Sequence, residues 1–316
     1  MPSASFVHHL RRWFRAPVEV ELVCEIAADY VTAARYQKGR IETWALQPLP
    51  LEAVRPAPLA DNILDAGAVQ EALKQALELV GNTQRRCVLL VPDLVARIAL
   101  LELEHLPARA EEADGLLRWR LKKDLPFDVS QAVLSYKVQP GRGTAHEVMA
   151  VVCLRSLLRQ YEDCLGRLGV QPGWVTLSTL ATLDCLDPGK TAPQLLVKRD
   201  HSSLSLAIVH HDAIRLFRSL PMTTREPRAV GDVLFDKIYP AVVYFQDQWN
   251  QPVAEIALAG LDEVQADLLR QFERETGCIA RDIAASAFDL PSSAGVGLNP
   301  DHRLLPLLGW VRGETE

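Results

Sequence analysis

One pattern occurs twice in this sequence, and it constrains the fold more than any single motif. Val18–Ile26 is an apolar, strand-like run, followed by a short break, then Tyr30–Gln37, a Lys38-Gly39 turn and Ile41–Leu46. The second copy opens at Gln194, with Leu195–Val197, a polar break at Lys198–Ser202, Ser203–Val209, a turn near His211-Asp212 and Ile214–Leu220. Each copy reads as three strands in a meander, with a loop where the first strand turns into the second. Each then leads into a long helix. The first runs from Asp65 to Val80, with Asp65 as N-cap, Gly81 as stop and an apolar stripe of Val69, Leu73, Ala76, Leu77 and Val80. The second runs from Arg228 to Trp249 and contains Pro240, which cannot donate a helical hydrogen bond and predicts a kink. Two meander-plus-helix units predict a duplicated α/β domain, jointed at Asp187–Pro193.

Between the copies lies a block with its own rhythm. Cys87–Val91 and Val95–Leu103 read as strands on either side of Pro92. Ala108–Lys123 reads as a helix with Glu111, Glu112 and Asp114 in its first turns and Arg118, Arg120, Lys122 and Lys123 in its last, the order that suits the helix dipole. Ala132–Val138 and Glu147–Cys153 follow as strands, and Ser156–Leu168 as a helix stopped by Gly169. The predicted division is an N-terminal segment (1–16), a first domain (17–84 with 170–190), an inserted α+β subdomain (85–169) and a second domain (191–316). The second domain closes with a strand at Val253–Ala259, a helix at 262–276, a strand at Cys278–Ala284 and an apolar segment at Leu304–Val311.

Charge and composition exclude several functions. The 34 Lys+Arg and 40 Asp+Glu of this 316-residue chain leave a net −6, without the basic excess that holds nucleic acid. No apolar run reaches the roughly 20 residues that span a bilayer. In residues 5–15 the basic and apolar side chains are interleaved rather than ordered as in a secretory signal, which points to an unexported, cytoplasmic chain. As a helix this segment would set Phe6, Val7, Leu10, Trp13 and Phe14 against His8, Arg11, Arg12 and Arg15. It would either touch a membrane interface or be a tail that packs on its own domain or stays disordered. The six cysteines form no CxxC pair and lie mostly in apolar stretches, as small hydrophobes. Neither His8-His9 nor His210-His211 is spaced to chelate a metal. There is no Gly-Lys-Ser/Thr loop, no GxGxxG and no GxSxG, and Gly141–Gly143 reads as a hairpin turn. Nothing in these residues points to catalysis.

A duplicated strand–loop–strand–strand unit with an insertion in its first half resembles the actin-like, ribonuclease-H-like ATPase fold. Trp119–Val138, with Leu125-Pro126-Phe127 and Ser135-Tyr136, is similar to a family pattern of a helix ending in Ile-Pro-Phe followed by a strand with Asp-Tyr. Leu49–Val80 resembles that family's proline-rich lead into its first helix. Leu258-Ala259-Gly260 and Leu308-Gly309 resemble its adenosine-side and closing segments. Together these resemble the PilM family of type IV pilus assembly, with the cytoplasmic domain of GspL from type II secretion as the alternative. In GspL the fold continues into a membrane span, whereas this sequence stops shortly after Trp310, which favours PilM.

The resemblance implies a nucleotide cleft, and the matching positions depart from it. Family Asp-Ile-Gly-Ser-Ser is here Glu25, Ile26, Ala27, Ala28 and Asp29, and the second loop is Lys198, Arg199, Asp200, His201 and Ser202. Lysine stands where a carboxylate would hold hydrated magnesium, and Asp200 where glycine lets backbone N–H groups reach phosphate. Glu25, Lys198, Ser202 and Gly260 are therefore the residues of a degenerate cleft. It either folds the hinge alone or binds metal-free nucleotide through Lys198 and Arg199. The expected cofactor is none, with ATP and magnesium as the alternative. The resemblance also implies a scaffold that captures the short cytoplasmic tail of a bitopic inner-membrane PilN-like partner, carrying an Asn-Leu-Leu-Pro-like motif. The tail would lie in a groove between first domain and insertion. Trp119, Leu125, Pro126 and Phe127 are the candidate lining, or else ordinary subdomain core. The competing function is a working ATPase.

Overall fold

Each meander forms as its apolar runs and turns predict, and each is extended by parallel strands into a five-stranded sheet. The computed structural model describes residues 20–141, 145–187, 191–222, 230–261, 265–285, 288–294 and 300–314. The segment 5–15, the middle of the 187–193 joint and most of the Gly141–Gly143 turn lie outside them. In the first lobe, β1 (Leu22–Ile26), β2 (Tyr30–Gln37) and β3 (Arg40–Pro48) pair antiparallel, while β4 (Arg86–Val91) and β8 (Gln171–Leu177) join parallel, giving the order β3-β2-β1-β4-β8. The second lobe repeats it with β9 (Gln194–Arg199), β10 (Ser203–His210), β11 (Ala213–Pro221), β12 (Glu255–Ala259) and β13 (Ile279–Asp282), in the order β11-β10-β9-β12-β13.

The central strands are buried on both faces, as parallel strands covered by helices must be. Leu22, Cys24 and Ile26 face α1 (Ala66–Leu79) and α3 (Arg155–Gly166), packing with Val69, Leu73, Tyr161 and Leu165. Asp65 caps α1 by accepting from the Ala68 N–H at 2.9 Å, and Gly81 takes the positive φ (62°) that ends it. Val23, Val88 and Leu90 face the other way, toward α4 (Ser178–Thr182) and α7 (Leu305–Gly313). Leu196, Ala257 and Ala259 of the second sheet join that same core, so α4 and α7 are shared between the lobes. The outer face of the second sheet packs on α5 (Val230–Trp249), one helix that runs through Pro240, and on α6 (Gln265–Thr276).

The insertion is smaller than the sequence predicts. Its sheet, in the order β5-β7-β6, contains β5 (Ala96–Leu103), β6 (Ala132–Gln139) and β7 (His146–Leu154), and α2 (Ala110–Leu121) packs on one face. Arg86–Val91, expected to open the insertion, belongs to the first sheet between β1 and β8. The helix expected to close it, α3, packs on the first-lobe core. Both segments are apolar enough to be buried in either place; the pairing partners, distant in sequence, decide. The insertion is also tied to the second lobe. Gln139 donates through Nε2 to the Ile214 carbonyl (3.2 Å) and accepts from the Ile214 N–H (2.8 Å), and Arg215 pairs with Glu147.

Candidate functional site

Two places gather unusual chemistry, and the first is the cleft where β1 and β9 end. Their loops sit at the carboxyl ends of strands, where open α/β sheets place their ligands. Glu25, buried on β1, accepts from Ser178 Oγ (2.5 Å) and from the Tyr30 hydroxyl (3.4 Å). Lys198, buried on β9, pairs with Asp200 at 2.5 Å. Asp93 follows β4 and is buried too. It accepts from the Thr179 N–H (3.1 Å) and hydroxyl (2.5 Å) and from Ser205 Oγ (2.7 Å). The cluster thus draws on both lobes, with three carboxyls around one ammonium.

The charges follow from that count. Burial pushes the Glu25 carboxyl up to about 8 against the pull of Lys198, with Asp200 and Asp93 adding to the rise. Burial likewise raises Asp93, opposed by Lys198, Thr179 and Ser205. Burial works against the charge on Lys198, but Asp200, Glu25 and Asp93 outweigh it and hold the ammonium above its ordinary value. Glu25 is therefore a neutral acid through most of the physiological range.

That state has a measurable consequence. The folded chain binds the Glu25 proton more tightly than the unfolded chain, so this group favours folding most below about 4.5 and loses that contribution as pH rises toward about 8. Glu25→Gln keeps an acceptor for Ser178 and carries no charge. Its melting temperature is expected to fall less than the native one across that window, ending several degrees higher at the alkaline end, a difference of order a few kcal/mol. Parallel slopes for the two proteins in thermal melts would reject this.

The second place is an apolar groove of about 100 Å³ between the first lobe and the insertion. Val133, Ser135, Val151 and Cys153 line it from β6 and β7, and Trp174 and Val175 from β8. Both β6 and β8 are outermost strands of their sheets. Trp174 Nε1 is buried with no hydrogen-bond partner among the described residues.

No family model matches this chain, and no curated protein matches it in sequence. Among solved structures it is similar to a PilM-PilN type IV pilus biogenesis complex, at 16% identity and a TM-score of 0.72, over 95% of this chain and 99% of that one. It is also similar to the cytoplasmic domain of EpsL, an inner membrane component of the type II secretion system of Vibrio cholerae. There the identity is 11% and the TM-score 0.50, over 91% of this chain and 93% of that one. At such identities the likeness speaks to the fold. This chain has the actin-like fold.

Of the residues expected in a cleft, Glu25 lies near the end of β1, Lys198 near the end of β9, Ser202 in the loop after β9 and Gly260 directly after β12. The residues present do not fit a magnesium-bound triphosphate. Lys198 Nζ occupies the centre of the carboxyl cluster. The Ala27 N–H is spent on the Tyr30 carbonyl and the Asp200 N–H on the Ser203 carbonyl, both at 2.9 Å. The Ser202 carbonyl accepts from the Met222 N–H (2.8 Å). Asp29 and His201 meet across the cleft at 3.8 Å, joining the two loops directly. Gly260, at φ 75°, lies so close to the second loop that a Cβ there would overlap the Arg199 carbonyl oxygen. Its glycine is demanded by that contact and by the left-handed backbone. Among the described residues no group of three or more His, Cys, Asp or Glu side chains is placed to hold a metal ion.

The expected partner residues do not line the actin-like chain's groove. Leu125 and Phe127 pack with Leu121, Ala132, Ala150 and Val152 on the α2 side of the inserted sheet, Pro126 is exposed, and Trp119 is 67% exposed on α2. Side chains alternate between the faces of a strand, so Val133 and Val151 face the groove while Ala132 and Val152 face α2. Asp93, Ser178, Thr179 and Ser205 are cleft residues that sequence reasoning missed. The signal for Asp93 was a charge directly after a buried strand and Pro92. Among the described residues, no helix is long and apolar enough to cross a membrane.

Proposed function

We propose that this chain is a non-catalytic docking body of a type IV pilus or related secretion assembly. It works on the cytoplasmic face of the inner membrane and holds the cytoplasmic tail of a bitopic, PilN-like partner. The observation that carries the reading is the apolar groove set between two outermost strands. An extended tail offers apolar side chains to such a groove and a backbone edge to either strand. The likeness to PilM in complex with PilN supports it. The filled cleft supports the absence of turnover, because a triphosphate facing Asp29 and Asp200 would meet like charge where its cation should be.

A synthetic peptide carrying the Asn-Leu-Leu-Pro-like motif tests the groove by calorimetry. Saturable binding is expected for the native chain, a loss of at least about tenfold for Val133→Arg, and no change for Trp119→Ala. Weakening by Trp119→Ala with Val133→Arg unaffected would move the tail to the α2 face. For the cleft, millimolar ATP with magnesium is expected to leave the melting temperature unchanged; a rise of several degrees would restore the ATPase reading.

A further inference from the structure

A third recess, of about 490 Å³, opens where the proline-rich loop of the first lobe faces β11. We propose that this recess is a second docking site, for a short peptide segment of a partner protein in which apolar side chains alternate with Asp or Glu.

Its first wall is a loop held rigid from within. Asn62, fully buried, accepts from the Ala57 N–H (3.2 Å) and the Tyr161 hydroxyl (3.0 Å) and donates to the carbonyls of Ala57 (2.9 Å) and Ala60 (2.6 Å). Gln160 Oε1 accepts from the Asn62 and Ile63 N–H groups at 2.8 and 3.2 Å, anchoring the loop to α3. Pro56, buried, and Pro58, half-buried, line the recess from this fixed loop. Ile98 and Phe217 supply the floor and the opposite wall.

The rim carries the charge. Arg97 on β5 and Arg218 on β11 both line the recess and are exposed, and neither has a hydrogen bond or ion pair among the described residues. Two uncompensated guanidinium groups over an apolar floor call for carboxylates at the rim, which arginine grips through paired N–H bonds.

The interior decides against a small polar ligand. Ser219, the hydroxyl that lines it, is already bonded to Ser205 at 2.9 Å. A sugar or nucleoside would bury hydroxyls without partners, at a cost apolar side chains do not incur. β11 is also the outermost strand of its sheet, which suits an extended chain. The recess and the PilN-like groove adjoin at Ala96, which opens β5 and lines both, while Arg97 and Arg218 belong to the recess and Val133 to the groove.

The test is fluorescence anisotropy of the full chain with a labelled peptide of alternating Leu/Phe and Glu. The controls are the same peptide with Lys for Glu and with Ser for Leu/Phe. The acidic apolar peptide is expected to bind saturably, weaken as salt rises and lose at least about tenfold in Arg97→Glu/Arg218→Glu. Ala57→Trp, which fills the recess without adding charge, is expected to abolish binding, and Val133→Arg to leave it unchanged. No saturable binding up to millimolar peptide overturns the proposal. So does binding indifferent to both recess variants, binding lost in Val133→Arg, or displacement by inorganic phosphate at physiological salt.

Discussion

Lys198→Met is expected to lower the melting temperature at neutral pH by about 10 °C. The ammonium is buried against Asp200 at 2.5 Å and is felt by Glu25 and Asp93 from the first lobe. Removing one partner of a buried ionic group costs about 3–5 kcal/mol, because the remaining charges stay out of water without compensation. At about 2–4 °C per kcal/mol for a chain of this size, that is the stated drop. Glu25 limits the damage by staying protonated. Burial already raises the Asp93 carboxyl, and without Lys198 it must either ionise unpaired or take up a proton, so the loss should shrink as the pH is lowered toward about 5. Thermal melts at the two pH values check both statements. An unchanged melting temperature at neutral pH would show that Lys198 is not the cation that holds the two lobes at the cleft.

Gly309→Ala is expected to be still more damaging, with the soluble yield collapsing or the melting temperature falling by more than about 10 °C. Gly309 lies where α7 crosses α4 backbone to backbone. A Cβ there would overlap the Ala181 carbonyl oxygen, stand 2.9 Å from its carbon and 3.1 Å from Thr182 Cα. No rotamer relieves a backbone clash, so the helices must separate. Overpacking of this kind costs about 1–3 kcal/mol where side chains can give, and more where they cannot. Leu305, Leu307, Leu308 and Trp310 carry the disturbance into the core shared by both sheets. Gly115→Ala is the control: nothing lies within 4 Å of its Cβ position on exposed α2, and alanine there should stabilise by about 0.5–1 kcal/mol. Equal effects of the two substitutions would show that close approach at the α4–α7 crossing does not matter.

The elements most legible in the sequence were those whose signals are short-range. Tyr30–Gln37 forms with the predicted bounds, and Asp65 caps the helix it was expected to cap. The two loops were singled out by the family resemblance, at the break that follows the first strand of each copy. Legibility ended where a segment has more than one possible neighbour. Arg86–Val91 is apolar throughout, which states that it is buried and says nothing of which sheet buries it. The stripe of Leu157, Tyr161, Cys164 and Leu165 gives α3 one apolar face without naming the surface it meets. Leu125 and Phe127 stood out as apolar residues around a proline, yet they cover the face of the inserted sheet opposite the groove.

The amino-acid order alone thus determined the duplicated meanders and the helices that follow them, because periodicity and capping are written within a few consecutive residues. Only the tertiary structure decided that Glu25 would keep its proton, that Lys198 would join carboxyls from both lobes, and that the groove would be lined by Val133 and Val151. Burial, charge proximity and the facing of a strand depend on distances through space between residues far apart along the chain, and a local pattern carries no such distances.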